Sequence, residues 1–191
     1  MTQQVADEVL GKIARQENDL FRRVREGTLN PESVSRGLQD LIEGRFVNNG
    51  VFYAITVNYD RSVEDGVMAG HYDCSNPDIT SCHFPSSRKG MAEQKIVLVH
   101  FNREIGSDEA IRELDKQGLR SAELPELLAF GAKYPDVQRE FPVVALGSVW
   151  QSPNGNRNCA SLHRLSDERA LSLHWLALGW GSHCRFAALS K

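Results

Sequence analysis

The C-terminal part of the sequence contains side-chain types that bind metals and carry out thiol and acid–base chemistry. His163, His174 and His183 lie near Cys159 and Cys184 in the sequence, and zinc binds both imidazole and thiolate. A metal site would require their donor atoms within about 2.0 to 2.3 Å of one point. Because no i, i+4 pair or short loop enforces this, we interpret the histidines as contact residues that donate, accept and stack.

Two further motifs admit a chemical interpretation. Asp167-Glu168 could supply an acid and a base, although a polar turn before Arg169 explains the pair equally well. Gly179-Trp180-Gly181 is not typical of a phosphate loop, which needs a strand before it and a helix after it. The sequence therefore predicts no catalytic residue, no metal site and no cofactor.

An apolar skeleton runs through the same region, and small and polar residues fill its gaps. The skeleton residues, predicted to form a rigid scaffold, are Gly147, Trp150, Leu171, Leu173, Trp175, Trp180, Arg185 and Phe186. The gap residues, predicted to form a ligand-binding surface, are Gln151, Asn154, Asn156, Asn158, Ser161, His163, Ser172, His174, Ala177, Gly179, Gly181, Ser182 and His183. A preorganised patch of this kind lowers the entropy cost of association.

Composition restricts the class of protein. The chain has 191 residues, 41% of them hydrophobic, and a formal net charge of −3, which is typical of a soluble globular protein. We expect no nucleic-acid partner and no membrane insertion, because no large basic face and no apolar run of ~20 residues is present. The N-terminus lacks a signal peptide, so we expect a cytoplasmic protein, with display on a phage or cell surface by an unknown route left open.

Cysteine spacing is uninformative about metals. Cys74, Cys82, Cys159 and Cys184 form neither a C-x-x-C pair nor a zinc-finger pattern. In a cytosolic protein such residues are mostly free thiols. A bridge between Cys159 and Cys184 remains open.

The elements that must position the C-terminal part of the sequence begin with a helical hairpin. Apolar side chains recur at helical spacing over residues 4–26 and again from Val34 to Ile42. Asn30 can cap the second helix, Pro31 suits its first position, and Gly44 supplies its end. A strand over Val51–Tyr59 and a helix over Ser62–Ala69 follow, and residues 73–94 form a long irregular connection. We predict that this N-terminal region covers residues 1–94.

The second region, residues 95–191, has a more regular pattern. It contains a strand at Ile96–Phe101 and a helix capped by Ser107 and ending at Gly118. Further elements are a helix over Leu124–Lys133, a strand over Phe141–Leu146, and short strands ending with Arg185–Leu189. Since an unpaired last strand would be a liability, we expect it to pair with Ile96–Phe101. The fold class is therefore α+β, with a mainly antiparallel sheet flanked by two helices.

This combination resembles the C-type lectin fold, in the branch of the formylglycine-generating enzymes, and specifically the variable proteins of diversity-generating retroelements. The resemblance rests on the strand with its helix pair and on the segments Phe141–Trp150 and Leu171-x-Leu173-x-Trp175-x4-Trp180-x4-Arg185-Phe186. The segments 24–31 and 72–85 also look like those that accompany such domains in bacterial and phage proteins. The resemblance implies that a reverse transcriptase diversifies selected codons at adenines. It implies that the varied side chains, with asparagine codons favoured, form the ligand-binding surface.

Two departures from the wider fold limit this comparison. The calcium-binding tripeptides Glu-Pro-Asn and Gln-Pro-Asp are absent from the sequence, so calcium-dependent sugar binding lacks support. Formylglycine-generating enzymes need a reactive cysteine pair, whereas Cys159 and Cys184 are far apart in sequence. The first hypothesis is a non-enzymatic display protein that binds an unknown protein or other macromolecule. The alternative is a formylglycine-type oxidase or a metal-dependent enzyme that uses the C-terminal Cys and His residues, and a third interpretation makes the N-terminal helices an oligomerisation or docking element.

Overall fold

The computed structural model describes residues 3–42 and 52–191. The chain divides into two compact units, Met1–Phe46 and Val47–Lys191, called here the N-terminal and C-terminal units. Within the described ranges, no helix combines the length and the apolar character needed to cross a membrane.

The N-terminal unit contains two helices. Helix α1 spans Gln3–Arg25 and helix α2 spans Pro31–Ile42, so the two predicted helices are confirmed. Gly27 adopts a φ of +71° between them, a left-handed conformation that glycine takes without steric cost. The predicted helix end at Gly44 lies outside the described residues.

The C-terminal unit mixes helices with one sheet. Its elements are β1 (Phe52–Asn58), α3 (Val63–Ala69), β2 (Cys74–Ser75), β3 (Met91–Val99), α4 (Ser107–Lys116), β4 (Leu119–Ser121), α5 (Leu124–Lys133), α6 (Val137–Glu140), β5 (Val143–Gln151), β6 (Arg157–Leu165), β7 (Glu168–Trp175), a 3₁₀ helix (Leu176–Leu178) and β8 (Arg185–Ser190). The predicted α+β class is therefore confirmed.

The strands form a mostly antiparallel eight-stranded sheet. Its order is β1-β3-β8-β5-β6-β7-β2, and β4 also pairs with β8. The pairs β5–β8 and β2–β7 are parallel. Val97 of β3 lies opposite Ala188 of β8, and Val99 lies opposite Phe186. The predicted pairing of the last strand is thus confirmed, and both edges of β8 are covered.

Core residues form two clusters, one on each face of the sheet. The α5-side cluster includes Leu127, Phe130 and Leu171, whereas the α4-side cluster includes Leu114 and Phe186. Along β8 the neighbours Phe186 and Ala187 belong to different clusters, because successive side chains of a strand point to opposite faces. Helices α4 and α5 therefore cover opposite faces of the sheet.

The division of the chain differs from the predicted boundary between residues 94 and 95. Strand β1 pairs with β3 from Phe52↔Val97 to Asn58↔Met91, so it belongs to the same sheet as the C-terminal strands. Strand β3 also begins at Met91 rather than Ile96. In the first half of β3, exposed residues such as Glu93 and Lys95 alternate with half-buried ones. This polar pattern concealed the strand within the predicted irregular connection.

Local predictions around α4 also require correction. Ser107 is the first residue of α4, not its N-cap, which is Gly106. The Ser107 hydroxyl instead donates to the Leu176 carbonyl at 2.8 Å and accepts from Trp180 Nε1 at 2.9 Å. A long-range partner therefore uses the group that the local pattern assigned to a helix cap. Strand β4 and helix α6 were not predicted, because three or four residues are too few to show periodicity.

Candidate ligand-binding surface

Strands β6 and β7 place several predicted site residues side by side. Ser161 pairs with Ser172 and Cys159 pairs with His174, so these side chains share the sheet face of the α4-side cluster. His163 Nε2 lies 2.9 Å from Ser172 Oγ, and the His163 and His174 ring centroids are 5.7 Å apart. The antiparallel register therefore gathers histidines that are distant in sequence.

Ser161, His163 and His174 line a first cleft, called here the histidine cleft, with a volume of about 370 Å³. The polar and aromatic residues that define it are Ser161, His163, Arg164, His174, Trp175, Trp180 and His183. The His174 ring centroid lies 5.9 Å from that of Trp180, which is only 7% exposed. A buried indole thus fixes the floor of the cleft beside the imidazoles.

A second cleft, the tryptophan cleft, has a volume of about 500 Å³. It is defined by Asn76, Asp78, His83, Trp150, Asn158 and Trp175. The His83 ring stacks on Trp150, with centroids 4.3 Å apart and planes inclined by 16°. The segment between β2 and β3, predicted only as an irregular connection, therefore contributes three side chains to this cleft.

A third cleft of about 570 Å³, the helix cleft, lies along the start of α4. Asn156 and Ala177 line it together with Glu109 and Arg112 of α4. Trp175 lines all three clefts. An exposed aromatic side chain therefore stands at the centre of the surface that the clefts share.

The prediction that Trp175 belongs to the core is wrong, since this residue is 48% exposed. It shares the alternation of Leu171 and Leu173, but it is the last residue of β7 and pairs with Asn158, near the start of β6. The α5-side cluster takes in Leu171 and Leu173 without it. The apolar alternation thus continues one position beyond the packed core.

Other scaffold predictions agree with the packing. Leu171 and Phe186 are fully buried and Trp180 is nearly so. A β-carbon added to Gly147 would lie 2.5 Å from the Ala122 carbonyl oxygen, which leaves no room for a side chain. Arg185 holds its guanidinium 4.7 Å from the Phe141 ring centroid. These residues hold the strands on which the clefts are built.

The predicted surface residues differ in exposure. Those exposed to solvent are Gln151, Asn154, His174, Ala177, Ser182 and His183. Those that are half-buried are Asn156, His163, Ser172, Gly179 and Gly181. Asn158 and Ser161, only 4% and 1% exposed, do not lie on the outer surface as predicted, because β6 runs between β5 and β7.

Some of these residues have structural contacts of their own. Asn154 Oδ1 accepts from the Asn156 amide at 3.3 Å, and Asn158 Nδ2 donates to the Asn156 carbonyl at 2.9 Å. These bonds build the turn between β5 and β6. Gly179 has a φ of +72°, where any other side chain is strained. The residues with the fewest such constraints are the exposed ones of β7 and the loop after it.

Burial controls the ionisation of the imidazoles. It lowers the pKa of His163 and His174 below the usual imidazole value, and the neighbouring His174 lowers that of His163 further. Both rings are therefore mainly neutral at neutral pH, with one donor and one acceptor nitrogen each.

The buried cysteines are not in the ionised form that thiol reactivity requires. All four are free thiols, with Cys159 and Cys184 buried. Burial raises the pKa of Cys159 to about 12 and also raises that of Cys184, whereas nucleophilic or metal-binding cysteines are thiolates. Over residues 3–42 and 52–191, no three His, Cys, Asp or Glu side chains are grouped so that they could hold a metal ion.

Sequence reasoning missed the residues that the fold brings in from elsewhere. Asn76, Asp78 and His83 come from an irregular segment without periodicity, and Arg164 lies next to a predicted site residue. A usable signal for Trp175 was its position at the end of the Leu171-x-Leu173 alternation, where a strand leaves the core.

In comparisons with known proteins, no family model, no curated protein and no solved structure matches this chain.

Proposed function

We propose that the C-terminal unit is a non-enzymatic binding domain that presents the three clefts around Trp175 to a macromolecular target. One observation carries this proposal: a half-exposed tryptophan lines all three clefts, and ten of the thirteen predicted surface residues line them with it, namely Asn154, Asn156, Asn158, Ser161, His163, His174, Ala177, Gly179, Gly181 and His183. Exposed tryptophans are over-represented among the residues that dominate binding energy.

The scaffold supports binding rather than chemistry. The clefts rest on paired strands and on the buried Trp180, whose indole donates to Ser107. A rigid framework reduces the conformational entropy lost on association. The exposed residues at the end of β7 and in the following loop, such as His174 and Ser182, can then change without loss of a core contact.

We further propose that the domain has a C-type-lectin-like fold and belongs to the variable proteins of diversity-generating retroelements. Its support is the pairing of β8 with β3, the α4–α5 helix pair and the mostly antiparallel sheet. Exposed His174, Ser182 and His183, interleaved with buried Trp180 and Cys184, also fit a surface that varies on a fixed frame.

The class is tested on the DNA beside the gene. The proposal expects a near-copy of the codons for the C-terminal strands that differs from them only at adenines, next to a reverse transcriptase gene. A neighbourhood without both would remove the retroelement assignment and leave the binding domain as a separate proposal.

Its binding role is tested with immobilised protein. Peptides selected from a random library on the intact chain should lose most of their binding when Trp175 is changed to alanine. The matched variant Phe52→Ala also removes an exposed aromatic side chain, but Phe52 lies on β1 and lines none of the clefts. This variant should bind the selected peptides as the unchanged protein does. Peptides that bind all three proteins equally would contradict the proposal.

A further inference from the structure

The histidine cleft is lined by groups of one electrostatic kind. His163 and Arg164 reach it from β6, His174 from β7, and His183 from the loop before β8. None of the residues that line it is acidic. Arg164 is exposed and forms no ion pair with any residue that the structure describes. The cleft thus combines one fixed positive charge with three imidazoles that gain charge on protonation.

The acidic residues nearest in sequence do not neutralise this lining. Asp167 and Glu168 lie at the turn between β6 and β7, outside the residues that line the cleft. The neighbouring Arg185 of β8 packs over the Phe141 ring, and Cys184 has a raised pKa and stays a neutral thiol. Every ionisable group among the residues that line the cleft is therefore cationic or neutral.

Hydrogen-bonding capacity at the base of the cleft is not fully used. The Ser161 hydroxyl is buried and lacks a hydrogen-bond partner among the described residues, although it lines the cleft. Buried polar groups are nearly always paired, so an unpaired hydroxyl in a cleft points to a missing acceptor or donor. His163 and Ser172, which share a hydrogen bond, lie on the same face.

We propose that the histidine cleft binds a carboxylate, the side chain of an aspartate or glutamate on the target. This inference rests on the proposed binding function and names the chemistry that one part of the surface recognises. An ionised carboxylate only accepts hydrogen bonds, which suits a cleft with imidazole, guanidinium and hydroxyl donors. Charge-assisted bonds of this kind are shorter and stronger than neutral ones.

Binding of a carboxylate is expected to depend on pH. An anion next to His163 and His174 favours their charged forms, so the complex takes up protons and the imidazole pKa values rise. Because the free rings titrate below the usual imidazole pKa of ~6.5, affinity should increase as the pH falls from 8 to values below it. It should decrease again near pH ~4.3, where the glutamate ligand itself is protonated.

The test uses two small probes on the full chain, N-acetylglutamate methylamide and its glutamine analogue, followed by NMR of the imidazole signals. The acidic probe should shift the His163 and His174 resonances, raise their pKa values, and bind at least about tenfold more tightly than the amide at pH 6, as a charge-assisted contact requires. Inorganic phosphate is titrated in parallel, and a stronger response to phosphate would overturn the carboxylate assignment.

Charge-matched variants locate the site. Arg164→Gln should weaken binding of the acidic probe severalfold, whereas Arg61→Gln, which removes another exposed arginine from a groove between α3 and α5, should not. Ser161→Ala is a second variant inside the cleft, and it should also weaken binding of the acidic probe. Near-ultraviolet circular dichroism checks that the variant is folded. Equal affinity for acid and amide, or equal effects of both arginine variants, would overturn the proposal.

Failure here can be told apart from failure of the binding function. If the acidic probe does not bind while selected peptides still need Trp175, the domain binds targets without a carboxylate in this cleft. If neither the acidic probe nor the selected peptides require the clefts for binding, the proposed function itself is wrong.

Discussion

At the scale of single residues, two tryptophans five positions apart have different roles. Trp180 is 7% exposed and donates its indole N–H to Ser107, whereas Trp175 is 48% exposed. We predict that Trp180→Ala lowers the free energy of unfolding by ~3 to 5 kcal/mol, as for a buried tryptophan. The same change at Trp175 should cost only about 1 kcal/mol. Urea unfolding followed by circular dichroism measures both.

Because the two variants remove the same side chain, they control for each other. Losses of similar size would mean that Trp175 belongs to the core after all. Binding of selected peptides should show the reverse order of effects at a temperature where both variants are folded.

At the scale of elements, a buried carboxylate joins α5 to β4 and to Tyr59, the residue after β1. Glu126 is fully buried, and its side chain accepts from Tyr59 Oη at 2.6 Å, from Arg120 Nη2 at 2.6 Å and from the Glu123 amide at 2.7 Å. Burial alone would raise the pKa of Glu126, but the bonds from Arg120 and Tyr59 outweigh it and lower the pKa.

This network makes stability depend on acid in a definite direction. A carboxyl whose pKa is lower in the folded state contributes stability above its unfolded pKa of ~4.3 and loses it as the pH falls through the folded pKa. Glu126→Gln should therefore cost several kcal/mol near pH 7, up to about 3 to 5 as for a broken buried pair, and the cost should shrink below pH ~4. The matched variant Glu113→Gln removes a half-buried carboxylate of α4 that pairs with exposed Lys116, and it should change stability little. A cost that does not vary with pH would contradict the ionised network.

A second buried charge connects the residues that follow α3 to the sheet. The Arg169 guanidinium donates to the carbonyls of Gly70 at 2.7 Å, Gly131 at 2.8 Å and Pro135 at 3.1 Å, and it lies 5.0 Å from the Tyr72 ring centroid. Arg169→Lys removes the planar fork that reaches several carbonyls at once.

We expect this variant to lose about 1 to 3 kcal/mol of stability, the cost of unpaired buried carbonyls. Hydrogen exchange should increase in residues 70–76, which support the tryptophan cleft. Arg157→Lys, at the exposed first residue of β6, is the control. Unchanged exchange in that segment would show that Arg169 does not hold it.

The elements also show which features could be predicted from sequence. Helix α5 has the predicted bounds, Leu124–Lys133, because its apolar spacing and early Pro125 are local signals. The cap at Ser107 was mispredicted because its hydroxyl bonds to a residue far along the chain. The tryptophan cleft could not be predicted for the same reason: His83 stacks on Trp150 only after folding. Local periodicity predicts elements, whereas cleft composition depends on register and long-range contacts.

At the scale of the whole molecule, the extent of the folding unit is open to test. Both core clusters are built from residues at and after Ile55, and β1 supplies Ile55 and Val57 to one of them. A chain that begins at Val47 should therefore unfold cooperatively at nearly the temperature of the full chain. A chain that begins at residue 95 lacks β1 and half of β3, and it should not fold. Calorimetry of both truncations decides between the observed and the predicted boundary, and a stably folded 95–191 fragment would favour the latter.

The central claim is that a rigid scaffold presents a changeable binding surface around Trp175. It is tested most directly with three libraries displayed on yeast and selected against one purified test protein. The first randomises the exposed positions Gln151, His174, Ala177, Ser182 and His183, and the second does so in a Trp175→Ala background. The third randomises five exposed positions that line none of the three clefts, Arg61, Asp65, Met68, Met91 and Lys95. We predict folded, specific binders from the first library and far fewer from the other two. Binders recovered equally from all three would contradict the account.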